Sequence, residues 1–141
     1  MGIFVTVKSR LDGIGWGDNS IKKIVQAGLR AAQSAQHRQH RMGAVVVQGR
    51  KIISVGRNLC KTHSRSKGPY QQVHAETHAL SQAGTAAFGG TLVVVRRKAD
   101  GSLGISKPCK SCVEAATKAG IRRIIYANNE GSLVSEDLRA S

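Results

Sequence analysis

Thr91-Leu92-Val93-Val94-Val95 is apolar at every position after the first, with no polar residue alternating through it. Such a run reads as a strand buried on both faces, the kind found inside a sheet covered by helices. On its N-terminal side, a helix is expected from about Val73 to Gln82, stopped near Gly84. On its C-terminal side, a glycine-containing loop leads to Pro108, a favoured first helical residue. The helix it opens is expected to reach about Lys118, with Gly120 as its stop, before a strand at Arg123-Ile124-Ile125-Tyr126-Ala127. Further out lie Gly43-Ala44-Val45-Val46-Val47 and Ile52-Ile53-Ser54-Val55, separated by Gln48-Gly49-Arg50-Lys51, a hairpin signal.

Ahead of that hairpin, Ile21, Ile24, Val25, Gly28, Leu29, Ala32 and Ala35 recur at helical spacing. They predict an amphipathic helix to about Gln36, capped by Asp18, Asn19 or Ser20. Asn58 to Gln72 reads as a polar loop. The order helix, hairpin, helix, strand, helix, strand implies an α/β fold, a mixed sheet of about five strands with helices packed on it. The 141 residues fit one domain. Its core would cover residues 20–127. Residues 1–19, with a short apolar run at Ile3–Val7 and a glycine-rich loop, form an N-terminal extension.

Composition narrows the function classes. No apolar run approaches the roughly 20 residues that cross a bilayer, and the start does not read as a secretory signal. An intracellular, cytoplasmic protein without membrane partners is the expectation. Three cysteines make no disulfide framework. Lys and Arg total 22 against 8 acids, a net charge of +14. From Asn19 to Ala75 there are eleven basic residues and no acid. That imbalance suggests phosphate-bearing partners, although aromatics at 4% leave no wide base-stacking platform.

The chemistry lies in two short stretches. His74-Ala75-Glu76 opens one helix, and Pro108-Cys109-Lys110-Ser111-Cys112 opens another. Cys109 and Cys112 are three apart, so both thiolates fall on one helix face, and a helix N-terminus favours their anionic form. Two thiolates and one imidazole suit Zn²⁺ and leave a fourth position for water, as a catalytic zinc requires. Glu76, two residues past His74, belongs beside the metal, where a carboxylate can shuttle a proton from water to a leaving group. Cys-x-x-Cys alone is more often a structural half-site or redox pair. Joined to His-x-Glu, with proline directly before the first cysteine, it matches the zinc nucleobase deaminase signature.

On these residues, with the two hairpin runs continued through Gly56-Arg57-Asn58, the sequence resembles the cytidine deaminase superfamily from about Met42 to Ala127. The resemblance implies the cytidine deaminase-like fold, zinc held by His74, Cys109 and Cys112, and Glu76 as the proton shuttle. It further implies that Asn58 hydrogen-bonds the substrate's sugar. The backbone N–H of Ala75 would meet the base carbonyl, and the carbonyl of Lys107 would face the departing amine. The implied reaction is hydrolysis at C4 of cytosine, or at C6 of adenine, releasing ammonia. Dimers or tetramers are also implied.

Three features depart from the family pattern. His74 stands where free-nucleoside cytidine deaminases usually carry cysteine; histidine is typical of branches acting on nucleotides and nucleic acid. Those branches usually place a helix between the last two strands, whereas only a short stretch around the turn Asn128–Gly131 lies between Tyr126 and Leu133-Val134, so a final strand would run antiparallel. Lys107 stands where a small or acidic residue is usual.

The leading expectation is therefore a zinc-dependent deaminase converting cytosine to uracil in a nucleotide or single-stranded nucleic acid. The alternatives are adenine-to-hypoxanthine deamination on RNA, and a non-catalytic zinc-stabilised nucleic-acid-binding module with Cys60 as a fourth ligand. In the loop before the catalytic helix, His63 and Tyr70 are candidate base contacts, and Arg65 and Lys67 are candidate phosphate contacts. His78, four residues past His74, lacks the adjacent glutamate of the zincin pattern and reads as a packed or hydrogen-bonded helix residue. His37 and His40, flanked by Arg38 and Arg41, read as a solvated helix end.

Overall fold

The computed structural model describes residues 18–34, 41–61, 71–128 and 132–138. His63, Arg65, Lys67, Tyr70, His37 and His40 lie outside the described residues, as do the side chain of Cys60 and the Ile3–Val7 run. The elements in chain order are α1 (Asp18–Gln33), β1 (Arg41–Gln48), β2 (Lys51–Arg57), β3 (Leu59–Lys61) and β4 (Gln71–Val73). There follow α2 (Ala75–Ala83), a 3₁₀ turn at Gly84–Ala87, β5 (Thr91–Arg97), β6 (Leu103–Gly104), α3 (Lys110–Lys118), β7 (Arg123–Ala127) and β8 (Leu133–Asp137).

The six-stranded sheet runs β2-β1-β5-β7-β8, with β6 pairing β5 beside that path. The hairpin β1–β2 and the pair β1–β5 are antiparallel. Strands β5 and β7 are parallel, as the crossover through α3 requires. The last strand, β8, returns antiparallel to β7, as the short Asn128–Gly131 connection implies. The α/β class and mixed sheet agree with the sequence reading, which counted about five strands and missed β6.

The apolar runs are buried on both faces. Val45, Val47, Val93, Val95 and Ile125 pack with Ile21, Ile24, Val25 and Leu29 of α1. Ala44, Val46, Leu92, Val94 and Ile124 pack on the other face with Ala75 and Ala79 of α2 and Ala116 of α3. Small residues set how closely the helices approach. A Cβ on Gly43 would run into the Gly28 carbonyl, so α1 lies backbone-to-backbone on β1. Likewise, a Cβ on Gly56 would collide with Ala79 N and stand 2.5 Å from the Ala75 carbonyl oxygen, which seats α2 flat on β2.

Three boundaries differ from the sequence reading. Helix α1 spans Asp18–Gln33, starting earlier and ending sooner than periodicity suggested. The stretch read as one polar loop contains a ribbon, in which Leu59, Cys60 and Lys61 pair with Val73, Gln72 and Gln71. No alternation marks three-residue strands, so their pairing is a product of tertiary approach. Pro108 does not open α3. The helix starts at Lys110, and Cys109 is its N-cap with φ −73° and ψ 165°.

Candidate metal centre

The two chemistry-bearing helices start in the same way. His74 is the N-cap of α2 with φ −69° and ψ 150°, and Cys109 is the N-cap of α3. Neither side chain caps its own helix. Extended backbone at both positions throws the side chains off the helix ends and toward each other. Cys109 Sγ lies 3.7 Å from His74 Nδ1, and Cys112 Sγ lies 3.2 Å from the same nitrogen. The three ligand atoms all fall within 4.8 Å of one another. Tetrahedral zinc bonds of about 2.0–2.3 Å place neighbouring donors roughly 3.5–3.8 Å apart, so the observed spacing fits the ion. Nitrogen-and-sulfur donors are also the set zinc prefers. His74, Cys109 and Cys112 are a set that could hold a zinc ion.

Burial grades the centre. His74 and Cys109 are exposed, whereas Cys112 is 1% exposed and Glu76 3%. Burial pushes the Cys112 thiol well above its usual range, with the nearby Glu76 carboxylate adding to the shift through charge and a hydrogen bond. Cys109 moves the other way. Its slight burial opposes ionisation, but the Ser111 hydroxyl and the Cys112 backbone N–H outweigh it and lower the thiol. The Ser111 hydroxyl is 3.1 Å from Cys109 Sγ. A buried carboxylate against a buried thiol is an arrangement that a divalent cation completes.

Around this centre the chain is tightly tied. Asn58, 7% exposed, accepts the Met42 N–H at its Oδ1 (3.0 Å) and donates its own N–H to the Met42 carbonyl (3.4 Å). His78 is a hydrogen-bonded helix residue, as its spacing suggested. Its Nδ1 accepts the Arg57 N–H at 3.1 Å, and its Nε2 lies 2.7 Å from the side-chain amide nitrogen of Gln82. The residue just before Asn58 is thereby fastened to the helix that carries His74 and Glu76. Lys107 is exposed beside the buried Pro108. Ser106, which sequence reasoning passed over, is 1% exposed and bridges β5 to β7. Its partners, Val94 and Ala127, are distant along the chain, so no local signal marks it.

A crevice of about 170 Å³, lined by Gly89, Thr91, Arg122, Arg123 and Asp137, lies away from the metal centre. It opens where β5 and β7 begin, whereas Cys109 lies beyond the point where β5 ends.

Residues 18–128 match the model of the cytidine and deoxycytidylate deaminase zinc-binding region. The chain belongs to that family of zinc-binding deaminases. The riboflavin biosynthesis protein RibD of Aquifex aeolicus is 31% identical over 110 residues, 78% of this chain. The protein of that name from Bacillus amyloliquefaciens is 35% identical over 86 residues, 61% of this chain. The chain spans only 27% and 20% of the length of these two relatives.

Solved structures carry the same fold. The deoxycytidylate deaminase of cyanophage S-TIM5 superposes with a TM-score of 0.61 at 21% identity, covering 82% of this chain and 89% of its own. Cytidine deaminase from Burkholderia pseudomallei gives 0.61 at 20% identity, with 83% and 91% covered. Among the described residues, no helix is long and apolar enough to cross a membrane.

Proposed function

We propose that this deaminase converts cytosine to uracil in a phosphate-bearing substrate, a nucleotide or single-stranded nucleic acid. The observation that carries the reading is Glu76, a buried carboxylate hydrogen-bonded to the Cys112 thiol within the cluster of metal ligands. A closed structural zinc site has no use for such a group. A hydrolytic site needs it, because water adds at C4 and ammonia leaves, and a proton must travel from one to the other. The Glu76 carboxylate takes that proton from the attacking water and returns it to the departing amine. Zinc, when bound, supplies the Lewis acidity that makes water a nucleophile at neutral pH.

The remaining roles are those the family resemblance implies. The Ala75 N–H, at the positive end of α2, is a donor for the base carbonyl. The Lys107 carbonyl, two residues before the Cys109 N-cap, accepts from the departing amine. Asn58, held from its oxygen end by Met42, offers a fixed contact for the sugar. His63 and Tyr70 as base contacts, and Arg65 and Lys67 as phosphate contacts, remain part of the proposal from sequence.

Charge supports a phosphate on the substrate. Met42 of β1 pairs with Arg96 of β5 and bonds Asn58 on its other side, so Arg96 and Asn58 flank one residue. Exposed Lys98, Lys107 and Lys110 follow on the same stretch of chain. The Nε atoms of Arg57, Arg96 and Arg97 are buried with no hydrogen-bond partner among the described residues. A phosphate at this end of the sheet would meet several cations.

A second reading draws on the relatives named for riboflavin biosynthesis: the amine removed would belong to a precursor in that pathway. Product analysis by mass spectrometry on zinc-loaded protein separates the readings, with Glu76→Ala as control. The panel holds cytidine, deoxycytidine, their monophosphates, adenosine, and single-stranded DNA and RNA oligonucleotides. Glutamate-dependent uracil supports the proposal, and hypoxanthine would replace it with adenine deamination. No product with zinc still bound would favour the riboflavin precursor or the binding module. Loss of metal on Cys60→Ala would then point to the module.

A further inference from the structure

Ser106 sits where the parallel strands β5 and β7 part. Their pairing ends at Val94 and Tyr126, and the chain leaving β6 enters the fork. There the Ser106 hydroxyl donates to the Val94 carbonyl at 2.7 Å and accepts the Ala127 N–H at 2.7 Å. Its backbone N–H donates to the Ala127 carbonyl at 3.0 Å. Val94 and Ala127 are both 0% exposed, so neither backbone group has water as a substitute partner. One hydroxyl thus carries the ladder across the gap, using its donor and an acceptor lone pair at once.

The position of this clamp gives it a second consequence. Lys107 is the next residue, and Cys109, the N-cap ligand of α3, is three residues on. With Pro108 fixing φ between them, little backbone freedom separates the clamp from the ligand. His74 and Glu76 are carried by a different helix, seated on β2 at Gly56. The two halves of the metal centre therefore need separate anchors to the sheet.

We infer that Ser106 is a positioning residue for the cysteine half of the zinc centre, holding Cys109 and the Lys107 carbonyl in register with His74 and Glu76. It acts through Cys109 and touches neither metal nor substrate. The inference rests on the zinc site and is independent of which amine the enzyme removes.

The test is metal binding rather than turnover. Cobalt(II) is titrated into wild type, Ser106→Ala and Ser106→Thr, reading thiolate charge-transfer and d–d bands, with zinc affinity from chelator competition. Val47→Ala, on the α1 side of the sheet, serves as a control that loses stability away from the centre. Ser106→Ala is expected to lose about tenfold or more in zinc affinity and to change the cobalt bands, in the range for removing a group behind a ligand. Ser106→Thr, which keeps the hydroxyl, should restore both, and Val47→Ala should alter neither. Wild-type bands and affinity in Ser106→Ala would overturn the inference and leave the zinc site standing. Absence of thiolate bands in the wild-type protein would overturn the zinc site and the inference together.

Should Ser106→Ala fail to fold, amide exchange on the wild-type protein decides instead. Zinc saturation is expected to slow the Ser106 and Ala127 amides more than those of β1, because coupling between clamp and metal is reciprocal. Equal slowing throughout would mean general stabilisation and would overturn the inference.

Discussion

Cys112 Sγ lies 3.2 Å from His74 Nδ1, joining the buried start of one helix to the N-cap of another 38 residues away. Both helices end at this contact, and each brings its positive pole to it. In the proposed mechanism His74 and Cys112 hold the metal and Glu76 moves protons, and the variants should divide the same way.

His74→Ala and Cys112→Ser should each abolish stoichiometric zinc, measured by metal analysis after dialysis. Glu76→Gln should keep one zinc per chain while turnover falls by at least about 100-fold, the usual effect of losing a general acid–base. Zinc loss from Glu76→Gln would make the carboxylate a ligand and remove the proton-shuttle role.

Metal affinity should rise with pH. The apo protein holds the Cys112 proton tightly, and zinc binding must expel it, so apparent affinity increases by about tenfold per pH unit for each proton released. Stability of the apo form has the opposite sign. A thiol raised in the folded state contributes stability below its ordinary value of 9.0, and that contribution is lost as pH climbs above it. Tyr126, pushed up to about 12 by burial and by its 2.6 Å bond to Glu136, adds to the loss above its ordinary value of 10.0. Thermal melts of apo and zinc-loaded protein from neutral to alkaline pH should diverge as pH rises. A constant gap would contradict the thiol assignment.

Gly56→Ala should be costly. Its Cβ would meet the backbone of α2 at Ala75 and Ala79 rather than a side chain that can swing aside. Overpacking of this kind costs about 1–3 kcal/mol, read from denaturant unfolding. Because α2 carries His74 and Glu76, zinc affinity should fall as well. A stable variant with unchanged affinity would show that α2 can lift without disturbing the centre.

Arg96→Gln tests the phosphate. The Michaelis constant for deoxycytidine monophosphate should rise by about tenfold or more, as expected for losing a charge-assisted bond, while deoxycytidine is unaffected. If oligonucleotides are substrates, their binding should also weaken with salt at a log–log slope of about −0.7 per phosphate contacted. Equal losses on nucleoside and nucleotide would mean that Arg96 supports the sheet instead.

Residue type and local spacing determined much of this protein. The unbroken apolar runs at Val45–Val47 and Leu92–Val95 dictated strands covered on both faces, because only a helix-sheathed sheet buries both sides of a strand. His74-Ala75-Glu76 and Pro108–Cys112 supplied a donor set suited to zinc, because ligand chemistry is a property of the side chains themselves. The antiparallel final strand followed from a connection too short for a crossover.

Tertiary structure decided what depends on residues far apart in the chain. It made Cys109 the N-cap of α3 and set His74 Nδ1 between two sulfurs, a matter of how two helices approach. Backbone contact at Gly56, rather than any motif, sets the height of α2 over the sheet. Ser106 is one more small polar residue in the sequence. Its role exists only because β5 and β7 part around it, leaving a buried carbonyl and a buried N–H that a single hydroxyl joins.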